Sequence, residues 1–145
     1  MYFVDRKKVE ETLQFIEELL QEYKEIHVET NLEKFALERL SQLLVESIID
    51  IGNMMIDGFI MRDPGSYEDI IDILEDEKVI PSEESSGYKA VIDLRKMLVK
   101  DYLHVNHDHI QTVLDDNYEM LNHFTTRIRD YLTKEIGVAN AFTKE

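Results

Sequence analysis

Residues 37–56 read LERLSQLLVESIIDIGNMMI. Apolar side chains return every three or four positions, at Leu40, Leu43, Leu44, Ile48, Ile51 and Met55, and Phe59 continues the series. That spacing is the period of an α-helix and not the alternation of a strand. The apolar positions cover more than one side of the helix. The segment is therefore expected at the centre of a bundle or at a contact between subunits. Upstream, Thr30 stands three residues before Glu33. This is the spacing of a capping box, which satisfies free amides at a helix start. The helix is predicted to run from there to about Ile60.

The same period governs the flanking segments. Val9, Leu13, Ile16, Leu20 and Tyr23 form one apolar stripe, which predicts a first helix over about Val4 to Ile26. Pro64 and Gly65 stop the second helix, and Ser66 with Asp69 caps a short third one carrying Ile70, Ile71, Ile73 and Leu74. After a break near Pro81, a fourth helix is expected to carry Val91, Leu94, Leu98 and Tyr102. Asn106 is a candidate N-cap for a last helix with Ile110, Leu114, Leu121, Ile128 and Leu132. Gly137 is a natural stop, and the tail after it is expected to fray. The expectation is an all-α bundle of about five helices, a single domain over residues 1–145.

Composition narrows the function. The chain carries 16 Lys and Arg against 31 Asp and Glu, a formal net charge of −15. Such a field repels phosphate backbones at long range, so any nucleic-acid contact needs a local basic patch. There is no cysteine. Disulfides and thiolate metal sites are excluded, which fits a reducing cytoplasmic setting. The N-terminus is charged by Asp5, unlike a secretory leader. The apolar stretch SIIDIGNMMIDGFIM, residues 47–61, is interrupted by Asp50 and Asp57 and reads as a buried helix, so no membrane association is expected. No glycine-rich phosphate loop or Ser-His-Asp set is recognisable, and no cofactor is expected.

Against that acidity, residues 94–105, LRKMLVKDYLHV, gather Arg95, Lys96 and Lys100 beside Tyr102. One reading is an amphipathic helix with a solvated basic stripe, since Lys96 and Lys100 are one helical turn apart. The other is a phosphate-binding or nucleic-acid-cleaving site. An α-helix places positions 95 and 100 about 140° apart, so one straight helix would not converge them, and a second subunit would be needed. Asp50 and Asn53 are polar on an otherwise apolar helix. They either face solvent, bond to one another or a neighbouring helix, pair with Arg95, or support the Arg95 region. His104, His107 and His109 are close in sequence, but their spacing matches no established zinc pattern and they straddle a predicted joint. No metal site is assigned.

The order of LERLSQLLVESIIDIGNMMI, PGSYEDIIDIL, VIP and LRKMLVKDYLHV resembles the HepT-like family of the HEPN superfamily, over roughly Phe35 to Tyr131. The resemblance implies an all-α, usually dimeric protein. Many members are metal-independent ribonuclease toxins paired with a minimal nucleotidyltransferase antitoxin. The family hallmark is R-x4-H-x-Y. Arg95 matches its arginine and Tyr102 its tyrosine, but Lys100 stands where the family has histidine, and Lys96 where it usually has asparagine. Asp50 and Asn53 match a polar pair that the family often keeps, and Met54 replaces the histidine that commonly follows. By the same resemblance, Tyr102 is the candidate acceptor for adenylylation by a partner.

Metal-free RNA cleavage needs a base for the 2′-hydroxyl, a cation for the phosphorane and an acid for the leaving oxygen. Histidine, with an ordinary pKa of about 6.5, suits the proton work, whereas a lysine at about 10.4 stays charged at neutral pH. Lys100 is thus expected to clamp phosphate in preference to acting as a base. The sequence predicts a ribonuclease lineage with weak or absent activity. The alternatives are a non-enzymatic dimeric module that binds a protein or nucleotide, and a purely structural oligomer.

Overall fold

The computed structural model describes the backbone of residues 4–143 and the side chains of residues 4–135. In chain order the elements are α1 (Arg6–Glu25), α2 (Asn31–Gly58), α3 (Tyr67–Asp76), a short 3-10 turn (Ser82–Glu84), α4 (Ser85–Arg95), a π-helical turn (Lys96–Lys100), α5 (His107–Asp116) and α6 (Tyr118–Thr143). No strand occurs among the described residues. α6 continues through Gly137 to Thr143, so the helix stop expected at Gly137 is corrected.

The helix starts are set by local side chains. Thr30 accepts from the Glu33 amide at 3.1 Å while Glu33 accepts from the Thr30 amide at 2.8 Å, the reciprocal capping box expected. Ser66 accepts from the Asp69 amide at 3.1 Å, and Asn106 from the His109 amide at 3.0 Å.

Two expectations are revised. The single last helix is two, α5 and α6, divided at Asn117. The side chain of Asn117 donates to the Val113 carbonyl at 2.8 Å and ends α5 there. Asparagine competes for backbone bonds in this way, which makes it a helix terminator. Gly87 packs against the same joint. A methyl group on it would come within 2.5 Å of the Met120 sulfur and 2.6 Å of Asn117 Oδ1, so a larger residue would make these side chains shift. The fourth helix also stops earlier than expected. It gives way to the π turn after Arg95, and Tyr102 lies beyond that turn and is exposed.

α2 is the hub. It packs on α1, α3, α4 and α5, and its Leu37, Leu44, Ile48, Ile51 and Met55 are fully buried. From α4, Tyr88, Val91, Ile92 and Leu94 are buried with them. At Gly52 a methyl group would overlap the Ile70 side chain, so the glycine sets how closely α3 lies on α2. Polar ties close the periphery. Arg129 on α6 bonds Glu10 and Glu17 on α1, each at 2.8 Å, and the Tyr23 hydroxyl donates to Asp115 at 2.7 Å. No described helix is long and apolar enough to cross a membrane.

Ser41 is the exception within this core. It is completely buried in α2, and its hydroxyl has no hydrogen-bond partner among the described residues. An unpaired buried hydroxyl costs roughly 1–3 kcal/mol of desolvation. Ser41→Ala should therefore be neutral or stabilise by about 1 kcal/mol in urea unfolding. A loss of that size would mean that the hydroxyl is bonded in solution.

Candidate functional site

Arg95 is the last residue of α4, and its side chain turns back onto α2. Its Nε donates to Oε1 of Glu46 at 2.7 Å, and its guanidinium carbon lies 4.6 Å from the centroid of the Tyr67 ring. Charge-assisted bonds are the stronger class of hydrogen bond, and a ring face attracts a cation through its quadrupole. The Glu46 carboxylate favours the charged guanidinium and holds the Arg95 pKa above the ordinary arginine value. The pair is partly open to water, with 24% of the Arg95 side chain and 36% of the Glu46 side chain exposed. Glu46 thus takes Nε, and the guanidinium carbon sits over the Tyr67 ring. The terminal nitrogens Nη1 and Nη2 have no hydrogen-bond partner among the described residues.

Tyr67 reaches Arg95 because the loop before α3 is clasped. Arg62 bonds both carboxylate oxygens of Asp69, at 2.7 and 2.9 Å, and the Gly65 amide donates to the same carboxylate at 2.8 Å. Ser66 caps the helix whose first residue is Tyr67. The Arg62 bonds, followed by the Gly65 amide, bring the Asp69 pKa down to about 2.

The segment after Arg95 is wound more widely than an α-helix. The Asp101 amide donates to the Lys96 carbonyl at 3.1 Å, an i→i−5 bond. Such a turn brings a residue and the fifth after it toward one face, where an α-helix would separate them by about 140°. The i→i−5 bond joins Lys96 and Asp101, and no contact joins Arg95 to Lys100 among the described residues. Lys96 and Lys100 are exposed and form no ion pair among the described residues. Tyr102 and Leu103 follow, 63% and 80% exposed. The tip is held by the His104 amide on the Asp101 carbonyl, at 3.0 Å, and the Asn106 amide on the Met97 sulfur, at 3.2 Å.

Glu46, Asp50 and Asn53 succeed one another at helical spacing along one side of α2. Asp50 is exposed and Asn53 half-buried. The carboxylate paired with Arg95 is Glu46, one turn before Asp50, so the expected alternative of an Asp50–Arg95 salt bridge is corrected by one helical turn. Sequence reasoning missed both Glu46 and Tyr67. The signal for Glu46 was its place four residues before Asp50, on the same helical face. Tyr67 gave none, because its contact depends on how α3 crosses α2.

The histidines do not converge. Nε2 of His107 lies 2.7 Å from Oε2 of Glu38, which ties α5 to α2. Among the described residues no group of three or more His, Cys, Asp or Glu side chains could hold a metal ion.

Among the described residues the bundle is all helical, with Arg95 at the end of α4 and Tyr102 exposed beyond the π turn. The family model described as ribonuclease HepT-like matches residues 9–128, and the chain belongs to that family. A Bacillus subtilis (strain 168) protein named "Putative RNase YutE" is 46% identical over 143 residues, covering 98% of this chain and 99% of that protein. A solved structure of YutE, described as a cytosolic protein of unknown function, superposes with a TM-score of 0.87. It is 45% identical and covers 94% of this chain and 96% of its own. A structure described as a toxin–antitoxin with AMP-PNP has a TM-score of 0.73 at 19% identity, covering 83% and 96%, a likeness of fold.

The clasp under Tyr67 makes a pH prediction. The native Asp69 carboxyl titrates at about 2, below its ordinary 3.8. Its ion pair therefore adds stability above the ordinary carboxylate range, and that stability is lost as pH falls through the native value. Asp69→Asn should lower the Tm at pH 7, and the deficit should shrink between about pH 4 and pH 2. A deficit independent of pH would remove the ion pair as its cause.

Proposed function

We propose that this protein is an altered member of the HepT ribonuclease lineage, in which Arg95 and Lys100 bind an RNA phosphate but lack efficient proton transfer. The observation that carries the reading is Arg95 itself: held through Nε by Glu46, it keeps the two terminal nitrogens for an anion. A guanidinium end with two parallel N–H groups matches two phosphate oxygens, and Lys100 adds a point charge on the same turn. Together they would steady the charge that develops on the phosphorane. What is weak is the acid–base step. Lys100 replaces the family histidine, and a lysine holds its proton through neutrality. Slow metal-independent endoribonuclease activity, or none, follows. Asp50 and Asn53, beside Glu46, would support the site from α2, and Lys96 would add long-range attraction.

A homodimer belongs to the same proposal. α2 leaves Leu32 and Phe35 exposed at 78% and 64%, and Leu103 at 80% lies next to the basic turn. Exposed apolar groups near a site are natural material for a subunit contact. The partner would be a minimal nucleotidyltransferase, with Tyr102, exposed after the π turn, as the acceptor of its nucleotidyl group. The setting would be the cytoplasm. A second reading, a non-enzymatic dimeric module for a protein or nucleotide, is favoured by Lys100 alone: it preserves anion binding while removing the proton relay.

Two outcomes test the proposal. Lys100→His rebuilds R-x4-H-x-Y, and it should raise cleavage of single-stranded RNA at least tenfold, the low end of what a positioned acid–base group supplies being about a hundredfold. Arg95→Ala should abolish the gain. Brisk cleavage by the wild type, with Lys100→His no faster, would refute the idea that the lysine disables the site. In light scattering the wild type should be a dimer at micromolar concentration, and Phe35→Asp should shift it toward monomer. A wild type that is only monomeric would contradict the shared cleft.

A further inference from the structure

We propose that Glu46 and Tyr67 form a two-sided holder for Arg95, which forces an anion to bind end-on, through Nη1 and Nη2. The proposal rests on the reading of Arg95 as the phosphate ligand, and it assigns Glu46 and Tyr67 as positioning residues. Neither belongs to the motif segment. They come from the middle of α2 and the first turn of α3, so the holder exists only in the folded bundle.

The geometry is specific about which edge remains. A guanidinium can meet an oxyanion on its side, through Nε and one Nη, or on its end, through both Nη atoms. Glu46 occupies Nε at 2.7 Å, which closes the side approach. Tyr67 lies 4.6 Å under the guanidinium and covers one face. The end remains, and nothing among the described residues is bonded to it. Tyr67 is 46% exposed, so its ring is a wall at the rim and the mouth stays open to solvent. The clasp of Arg62 on Asp69 fixes the loop from which that wall rises.

Glu46 has two opposed effects. As an acceptor it orients Arg95, which helps a phosphate. As a charge it repels the same phosphate. Removing the charge while keeping the acceptor should therefore strengthen binding, and removing both should weaken it. Tyr67 contributes through its ring, because its hydroxyl makes no hydrogen bond among the described residues. A contact of this kind at an exposed site corresponds to roughly two- to fivefold in affinity.

The test uses full-length ¹⁵N-labelled protein titrated with inorganic phosphate, observing the Arg95 Nε–H signal. Circular dichroism establishes that each variant is folded. In the wild type the signal should be protected from exchange by Glu46 and should shift on adding phosphate. Glu46→Gln should keep the signal and bind phosphate more tightly. Glu46→Ala should lose the protection and bind at least threefold more weakly than Glu46→Gln. Tyr67→Phe should match the wild type within about twofold, and Tyr67→Leu should fall by about two- to fivefold. Equal affinity in the Gln and Ala variants of Glu46, or an Arg95 signal indifferent to phosphate, would overturn the holder. If Lys100→His gains RNA cleavage while these variants leave phosphate binding unchanged, the ribonuclease reading stands and the holder falls. If the ranking holds but no variant cleaves RNA, the holder stands without the nuclease.

Discussion

One helix has to be both the core of this bundle and the wall of its candidate site. Twelve of the 28 residues of α2 are buried, and the helix packs on four others, yet one side keeps Glu46, Asp50 and Asn53 in line. The bond from Arg95 to Glu46 joins that polar side to the end of α4 at 2.7 Å. It fixes where α4 ends relative to α2. It also fixes which nitrogens of Arg95 are committed, and where the basic turn begins. Without it the cations of residues 95–100 would be three long side chains on a solvated helix end, each free to sample many rotamers.

The π turn adds the second constraint. Between Lys96 and Asp101 the helix is wider by one residue, closed by an i→i−5 bond. Such turns cost hydrogen-bond geometry and are concentrated at functional sites. Here the turn follows directly on Arg95 and carries Lys96 and Lys100. It also ends the helix, so that Tyr102 is delivered to solvent and not to the core.

The fold was legible from the sequence because it is written in local signals. Apolar spacing marked the helices, and Thr30 with Glu33, Ser66 and Asn106 marked three of their starts. The family was legible from the order of four segments. What escaped was non-local or too small for a period to register. Asn117 divides α5 from α6 with one side-chain bond to Val113, and the apolar pattern passes across it without interruption. The π turn has no compositional signature, so Tyr102 was expected on the helix. Glu46 looked like any solvated carboxylate until α4 was placed across it, and Tyr67 looked like an ordinary first-turn aromatic. Motif reading pointed to Arg95, but packing was needed to find Glu46 and Tyr67, which touch it.

The central claim is that Glu46 and Arg95 act as one unit in the folded protein. A double-mutant cycle measures that directly: the stabilities of the wild type, Glu46→Ala, Arg95→Ala and the double variant, from urea unfolding at low ionic strength. For a partly exposed, well-aligned pair the coupling should be about 1 kcal/mol, and it should fall as salt is added. Single-variant effects that add to the double within about 0.3 kcal/mol would mean that the two side chains do not hold each other, and the account of the site would fail.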